Sequence, residues 1–311
     1  MTHTDHMTNI RQQRTFTFLG EIWQRIFQSR WGYFFLLPSL VPFAVFFVLP
    51  LVRAVILSLS TWQPGEWEFV GLSNYSAVIQ DPVFAIAMKN TAVYALVVVP
   101  GGTAISLLLS VLIFPLPPRL QALLKGTFYL PLVISAVVVT MGWAWLYNPA
   151  FGLFNHLLSL VNVDPVVWLG DTRTALPSLM LMTLATTQGT GVIMITASMA
   201  NVPTELYDAA KLDGAGGWSL LTRITLPLIR PVLLYLVLIS TIEAFQIFTP
   251  MWLLTRGGPQ HATISVALLI YRTAFQSFKL GPAAAQSILL FFIILIASVI
   301  YFRMLGEKTE F

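Results

Sequence analysis

The sequence predicts an all-α membrane protein with six transmembrane helices and a charged cytoplasmic loop between the fourth and fifth helices. Of the 311 residues, 57% are hydrophobic and only 10% are charged. A soluble domain carries about 25% charged residues, so much of this surface faces lipid. The chain also contains six apolar runs of the length that a bilayer-spanning helix needs. These runs are continuous and do not alternate, which favours helices over a β-barrel.

Several of the six runs contain helix breakers. The runs are 33–58, 91–114, 127–147, 176–199, 231–254 and 283–301. Breakers occur at Pro100-Gly101-Gly102 and at Gly189-Thr190-Gly191. In membrane helices such points either build a polar solute pathway or allow two helices to pack closely, and both interpretations stay open here.

The distribution of cations predicts the orientation. If the N-terminus lies in the cytoplasm, eleven of the 17 Lys and Arg residues fall in cytoplasmic segments and six fall outside. Cytoplasmic loops carry an excess of Lys and Arg, so we expect both termini in the cytoplasm. The net charge of +4 fits loops that face anionic lipid and does not indicate nucleic-acid binding. The chain has no cysteine, which excludes a disulfide framework and a thiolate metal site.

Residues 1–32 are expected to form a cytoplasmic N-terminal segment, and residues 33–311 the transmembrane domain. The segment lacks the short apolar core and cleavage site of a signal peptide. Leu19, Ile22, Trp23, Ile26 and Phe27 recur at helical spacing. They predict an amphipathic helix in the membrane interface, or alternatively the first helix of the bundle. Between the first two runs, 62–82 is expected to be a compact external loop.

The loop at 201–231 is the most charged part of the chain interior. Thr204 is suited to cap a helix whose first turn carries Glu205, with Asp208 following. Asp213-Gly214 is typical of a helix end or sharp turn. Trp218, Leu221 and Ile224 then indicate a second helix, so the pattern predicts two short helices joined at a glycine. An ordinary amphipathic connector would fit the same pattern.

The residues of this loop resemble the signature of binding-protein-dependent ABC importer permeases. That signature reads E-A-A, three residues, G, nine residues, then I-x-L-P. This chain has Asp208-Ala209-Ala210, Gly214 and Ile224, followed in register by Leu226 and Pro227. Asp208 stands where the family has glutamate, which keeps the charge and shortens its reach by one methylene.

Three further segments are similar to the carbohydrate-uptake branch of that family. They are the G-L-x-N-Y element within 70–75, the Asn90-Thr91 pair at the entry to the second run, and the L-T-x-G-G-P turn at 254–259. The last two look most like the maltose-F and glycerol-phosphate-A type of subunit. The resemblance extends from about residue 35 to the C-terminus.

The resemblance implies a permease subunit of the bacterial or archaeal plasma (inner) membrane without a catalytic centre. Its implied partners are a second homologous permease, two cytoplasmic ATPase subunits, an extracytoplasmic solute-binding protein, membrane lipid and a sugar-like solute. ATP and Mg would be bound by the ATPase subunits, since this sequence has no G-x-x-x-x-G-K-[ST] phosphate loop. The implied ATPase-coupling residues are Glu205, Asp208, Ala209, Ala210, Asp213 and Gly214. We expect no metal site and no nucleic-acid partner.

A carboxylate inside a span is a functional hypothesis by default, because placing it in lipid is costly. Glu243 lies well inside the fifth run, with Ser240 and Gln246 three residues away on either side, so all three are predicted to share one helical face. The resemblance adds the middle of the fourth run. The predicted substrate-pathway residues are Gln188, Thr190, Ser240, Glu243, Ala244 and Gln246. Alternatively, Glu243 pairs with a polar or cationic group of a partner subunit, or acts in gating.

Two other classes of protein were weighed. A stand-alone secondary transporter or channel would be expected to carry several intramembrane charges and symmetric halves, which this sequence lacks. An intramembrane enzyme would need a catalytic constellation within the spans, and the runs contain none. The solute itself stays open among saccharides, polyols and glycerol phosphodiesters.

Overall fold

The structure is a computed structural model that describes residues 30–63 and 66–306. The amphipathic helix predicted around 19–28 lies outside the described residues. The chain divides into two compact units, one ending at Ile56 and the other beginning at Leu57.

The first unit is helical. Helix α1 (Arg30–Phe43) continues through a π-helical turn (Ala44–Val48) into α2 (Leu49–Ser58). The stretch Phe34–Ser58 is long and apolar enough to cross a membrane. Large apolar side chains stand exposed around it, among them Phe35 and Phe46. A helix that is apolar on all sides is typical of a membrane span.

The predicted external loop contains regular structure. Strands β1 (Ser60–Gln63) and β2 (Glu66–Phe69) form an antiparallel hairpin, so the fold is not purely helical. Helix α3 (Ser73–Gln80) follows. Asn74 donates hydrogen bonds from Nδ2 to the carbonyl oxygens of Ser58 and Ser60, at 3.0 and 2.9 Å. The G-L-x-N-Y element therefore anchors the start of the hairpin.

Helix α4 (Pro82–Ile113) is the centre of the second unit. It begins nine residues before the predicted run, where Asp81 accepts a hydrogen bond from the backbone N–H of Val83 at 2.8 Å. This is the position at which a side-chain cap stabilises a helix start. The helix continues without a break through Pro100 and packs against the later spans.

The third and fourth runs are bent, although each was predicted as one continuous helix. Helices α5 (Pro118–Val133) and α6 (Ala136–Leu146) meet at 97°, and α8 (Ala175–Thr186) and α9 (Gln188–Ala200) meet at 41°. The short helix α7 (Leu153–Leu160) lies between the pairs in sequence. In the described part of the chain, four helices are long and apolar enough to span a membrane, or up to six if each bent pair is one span.

The loop after α9 differs from the prediction of two short helices. Helix α10 (Thr204–Leu212) is separate, whereas α11 (Gly217–Leu220) continues through a π-helical turn (Leu221–Thr225) into α12 (Leu226–Phe245). The predicted second short helix is thus the first part of the fifth span. Pro227 lies just after the π-helical turn, where the backbone hydrogen-bond pattern changes, and does not interrupt the segment.

The fifth span also ends earlier than the predicted residue 254. Helix α12 stops at Phe245, and after a break the chain forms a π-helical turn (Met251–Thr255). Helix α13 (Val266–Tyr271), another π-helical turn (Arg272–Gln276) and the long α14 (Leu280–Gly306) complete the described chain.

Buried apolar side chains form two clusters in the second unit. The larger cluster joins α4, α13 and α14 around residues such as Tyr94, Leu268 and Ala285. The smaller one surrounds Ile195 and Ile229, close to the 201–231 loop. Asn90 supports the larger cluster by donating from Nδ2 to the carbonyl oxygen of Ile264 at 3.1 Å.

Candidate functional site

Three helix breaks meet at one cavity. The breaks lie between α5 and α6, between α8 and α9, and after α12. Ile134, Thr187 and Gln246, one from each break, line the same space of about 460 Å³. Non-helical backbone at membrane depth is tolerated only where it is buried in protein or lines a water-filled cavity. The three breaks therefore mark this place as a polar centre of the bundle.

A second cavity of about 270 Å³ adjoins the first. Its walls come from α4, α8, α9 and α12. Helix α4 contributes Tyr94, Val98, Gly102 and Ser106, which follow one another at intervals of four residues. That spacing places them on one helix face.

Glu243 lies between the two cavities. Its side chain lines both spaces, as do those of Thr183 and Thr187, and it is exposed in this chain. Ser240, one helical turn earlier, lines the smaller cavity. The carboxylate therefore faces the open space of the bundle and is not packed into its core.

The structure brings all six predicted substrate-pathway residues to these cavities. Gln188, Thr190, Ser240, Glu243 and Ala244 line the smaller cavity, whereas Gln246 lines the larger one. Gln246 lies just beyond the end of α12, so it does not continue the helical face of Ser240 and Glu243 as predicted. Their roles in transport stay predictions.

The side-chain amide of Gln188 forms hydrogen bonds within the chain. Its Nε2 donates to the carbonyl oxygen of Leu184 at 2.6 Å, and its Oε1 accepts a hydrogen bond from Ser106 Oγ at 2.7 Å. The side chain is only 4% exposed. It therefore joins α4 to the start of α9 and offers a ligand little free hydrogen-bonding capacity.

Sequence reasoning missed the contributions of α4 and of Thr183 on α8. Tyr94 OH and Thr183 Oγ1 share a hydrogen bond of 2.7 Å at the wall of the smaller cavity. The spacing Tyr94, Gly102, Ser106, Ser110 inside an apolar run was the available signal, because small and polar residues there recur at multiples of four.

Close packing explains the glycines at the start of α9. A Cβ atom at Gly191 would lie 2.4 Å from Ser106 Oγ, and one at Gly189 would lie 2.6 Å from the backbone of α5. Small residues let membrane helices approach this closely. Gly191 also lines the smaller cavity, and the solute-pathway interpretation of this tripeptide stays a prediction.

The second predicted site, on α10, forms an exposed ridge. Of the predicted coupling residues, Ala210 is half-buried, whereas Glu205, Asp208, Ala209, Asp213 and Gly214 are exposed. Asp208 and Lys211 form an ion pair at 3.4 Å. Pro203 occupies the N-cap position without a side-chain cap. The prediction that Thr204 caps the helix is therefore wrong, because Thr204 is already helical.

Gly214 ends this ridge in a left-handed conformation, with φ of +81°. Its N–H donates to the carbonyl oxygen of Lys211 at 3.0 Å. Glycine adopts this conformation without the steric cost that a Cβ imposes. The glycine of the signature therefore allows the reversal between α10 and the start of the fifth span.

The apolar side predicted for α10 is largely in solvent. Leu206 is 44% exposed, Leu212 is 90% exposed, and Trp218 beyond the turn is 77% exposed. Tyr207 instead packs on the smaller cluster, and its hydroxyl shares a 2.9 Å hydrogen bond with Thr225 Oγ1. Leu206, Leu212 and Trp218 therefore lie outside the described apolar core.

Comparisons with known proteins agree with the resemblance seen in the sequence. Residues 102–306 match the family described as "Binding-protein-dependent transport system inner membrane component". The probable ABC transporter permease protein YurN of Bacillus subtilis is 33% identical over 89% of this chain and 97% of its own length. The trehalose/maltose transport system permease protein MalF of Thermococcus litoralis is 32% identical over 89% of this chain and 94% of its own length.

A solved structure supports the fold. A chain of a bacterial ABC transporter that imports the acidic polysaccharide alginate superposes with a TM-score of 0.83, at 24% identity, over 93% of this chain and all of that one. The family match and these relatives do not favour the stand-alone secondary transporter. This chain belongs to the family of binding-protein-dependent transport system inner membrane components and is a transmembrane permease subunit of an ATP-driven importer.

Proposed function

We propose that this permease subunit forms one side of the translocation path for a sugar-like solute, and that the path runs through the two cavities at Glu243. The convergence of three helix breaks on one cavity carries the proposal. Solute sites in membrane transporters are built where helices are interrupted. The relatives named for sugar transport, such as the trehalose/maltose permease protein, support the solute class.

The cavity walls suit a hydroxylated solute. Hydroxyl groups of Thr187, Thr190 and Ser240 stand beside the carboxylate of Glu243, while Leu132 and Ile247 supply apolar surface. A mostly apolar wall with a few placed polar groups is the usual composition of a small-molecule site. A sugar presents the matching combination of hydroxyl edges and apolar C–H faces.

The 201–231 loop would transmit the motion of the ATPase subunits to this path. The exposed ridge of α10 and the exposed Trp218 support docking on a cytoplasmic ATPase subunit. Tyr207 and Thr225 connect that ridge to the start of the fifth span, and the same span carries Glu243. A displacement of α10 would thus be transmitted along a continuous helical segment from Gly217 to Phe245.

The working complex would contain this chain, a second homologous permease, two ATPase subunits that bind ATP and Mg, and an extracytoplasmic solute-binding protein. The N-terminal segment 1–32 and the C-terminus would lie in the cytoplasm with the 201–231 loop. The family description as an inner membrane component supports the placement of the chain in that membrane.

Uptake by cells tests the path. A strain that lacks this chain is complemented with the native chain, with Thr187→Trp, or with Thr127→Trp, and depletion of a sugar and polyol mixture from the medium is followed by mass spectrometry. Thr187 lines both cavities, whereas Thr127 is exposed and lines neither cavity. We expect Thr187→Trp to abolish uptake and Thr127→Trp to retain it. Equal uptake by both variants would contradict the proposed path.

A further inference from the structure

The charge and hydrogen-bonding character of the cavity walls select the kind of solute. Across the described residues that line the two cavities, Glu243 is the only charged side chain, and lysine, arginine and histidine are absent. The remaining polar groups are hydroxyls and amides. The helix ends at the breaks carry partial charges of both signs, because α5, α8 and α12 end there while α6 and α9 begin. The fixed full charge is therefore that of Glu243.

Most of the threonine hydroxyls in the cavity walls donate their hydrogen to a carbonyl oxygen of this chain. Thr103, Thr186 and Thr187 each donate to the backbone carbonyl oxygen four residues earlier, at 2.8, 2.8 and 2.9 Å. A hydroxyl carries one proton and two acceptor lone pairs. In this arrangement the three oxygens offer a ligand their lone pairs.

The hydroxyls of Tyr94 and Thr183 also form hydrogen bonds within the chain. Thr183 Oγ1 donates to the carbonyl oxygen of Leu179 at 3.1 Å. The Tyr94 and Thr183 hydroxyls share a further bond of 2.7 Å, in which either oxygen can be the donor. Tyr94 is only 1% exposed, so its hydroxyl serves this contact within the chain and offers a ligand little surface.

The walls thus carry one negative charge and several acceptor oxygens, beside the hydroxyls of Thr190, Tyr235 and Ser240 and the amide of Gln246. An anionic solute brings further acceptors and a like charge into a site surrounded by low-dielectric protein and lipid, where such interactions are strong. A solute rich in O–H or N–H donors pairs with the same walls. Charged groups that line a pore select ions by this principle.

We propose that Glu243 and the acceptor-rich threonine wall make this passage charge-selective, admitting uncharged and amino-substituted polyhydroxylated solutes and repelling anionic ones. The inference rests on the proposed path through the cavities and adds a specificity-determining role for Glu243.

The absence of cysteine from the chain allows a test that needs no knowledge of the natural solute. Thr187→Cys places one thiol where the two cavities join. The complex, purified with its native partner subunits in lipid nanodiscs at pH 8, is treated with either of two thiol reagents of similar size. The cationic reagent is trimethylammonioethyl methanethiosulfonate and the anionic one is sulfonatoethyl methanethiosulfonate. Intact-mass spectrometry of this chain gives each rate.

Removing the charge of Glu243 is expected to lower the ratio of cationic to anionic modification rates by on the order of tenfold or more. The variant for this measurement is Glu243→Gln in the Thr187→Cys background. The matched control is Glu68→Gln, because Glu68 is an exposed carboxylate on β2 that lines neither cavity. A second control places the thiol at Ser73, which is exposed and also outside both cavities.

The outcomes separate the two proposals. A ratio that falls with Glu243→Gln and not with Glu68→Gln supports the charge-selective passage. Ready modification by both reagents with an unchanged ratio overturns that role and leaves the path intact. Failure of both reagents to reach Cys at position 187, with and without Glu243→Gln, contradicts the path itself, and with it the selectivity.

Discussion

Tyr94 on α4 and Thr183 on α8 are joined by a 2.7 Å hydrogen bond that closes one wall of the cavity system. The two residues are 89 positions apart in sequence, so the bond fixes the second span against the broken fourth span. Tyr94 is 1% exposed, and its ring belongs to the larger apolar cluster.

Tyr94→Phe is expected to lower the stability of the folded chain by about 1 kcal/mol, the net worth of one such bond. The ring and its packing are retained, so only the hydroxyl contact is lost. The measurement is the thermal unfolding midpoint of the purified protein. Tyr235→Phe is the control, since Tyr235 is 48% exposed. Equal midpoints for the two variants would contradict the structural role given to the Tyr94 hydroxyl.

Gly191→Ala is expected to be destabilising by roughly 1–3 kcal/mol, the usual cost of overpacking. The new methyl group would lie 2.4 Å from Ser106 Oγ and would push α9 away from α4. Gly126→Ala on α5 serves as the comparison, because a Cβ there meets nothing within 4 Å. Thermal unfolding of both variants measures the difference, and a Gly191→Ala protein as stable as Gly126→Ala would show that the helices are not in this close contact.

Gly214→Ala is expected to impair transport, because an alanine in the left-handed conformation costs about 1–2 kcal/mol and the turn would relax. Gly216→Ala is the matched control: Gly216 has a φ of −76° and open space around its Cβ position. Solute uptake and ATP hydrolysis by the assembled complex are measured together. The expected result is reduced uptake per ATP in Gly214→Ala alone, and normal coupling in both variants would remove Gly214 from the mechanism.

Charge at position 208 is expected to control docking of the ATPase. Asp208→Lys should abolish transport while the chain still inserts, whereas Asp208→Glu, which restores the glutamate of the family signature, should retain it. Lys211→Ala should also retain transport, since an exposed ion pair such as Asp208–Lys211 contributes only about 0.2–1 kcal/mol. Uptake assays and membrane fractionation check the three variants. Transport by Asp208→Lys at the native level would show that the acidic group is not used.

The sequence predicted the class of protein and the residues that line the cavities better than the shape of the helices. Hydropathy located the spans because apolar length is a local property. The bends at Ile134 and Thr187 and the end of α12 at Phe245 were not foreseen, because they depend on neighbouring helices that re-satisfy the backbone. Glu243 stood out as a carboxylate in an apolar run. Tyr94 and Thr183 did not, because only their tertiary contact distinguishes them from ordinary residues of a span.

Co-purification tests the central claim, that this chain works as a permease subunit driven by a separate ATPase through α10. The tagged native chain and the Asp208→Lys variant are extracted in mild detergent, and the proteins that accompany each are identified by mass spectrometry. The account predicts that the native chain retains an ATPase subunit and a second permease, and that Asp208→Lys loses the ATPase. A native chain recovered alone, which still moves solute across reconstituted vesicles without ATP, would contradict it.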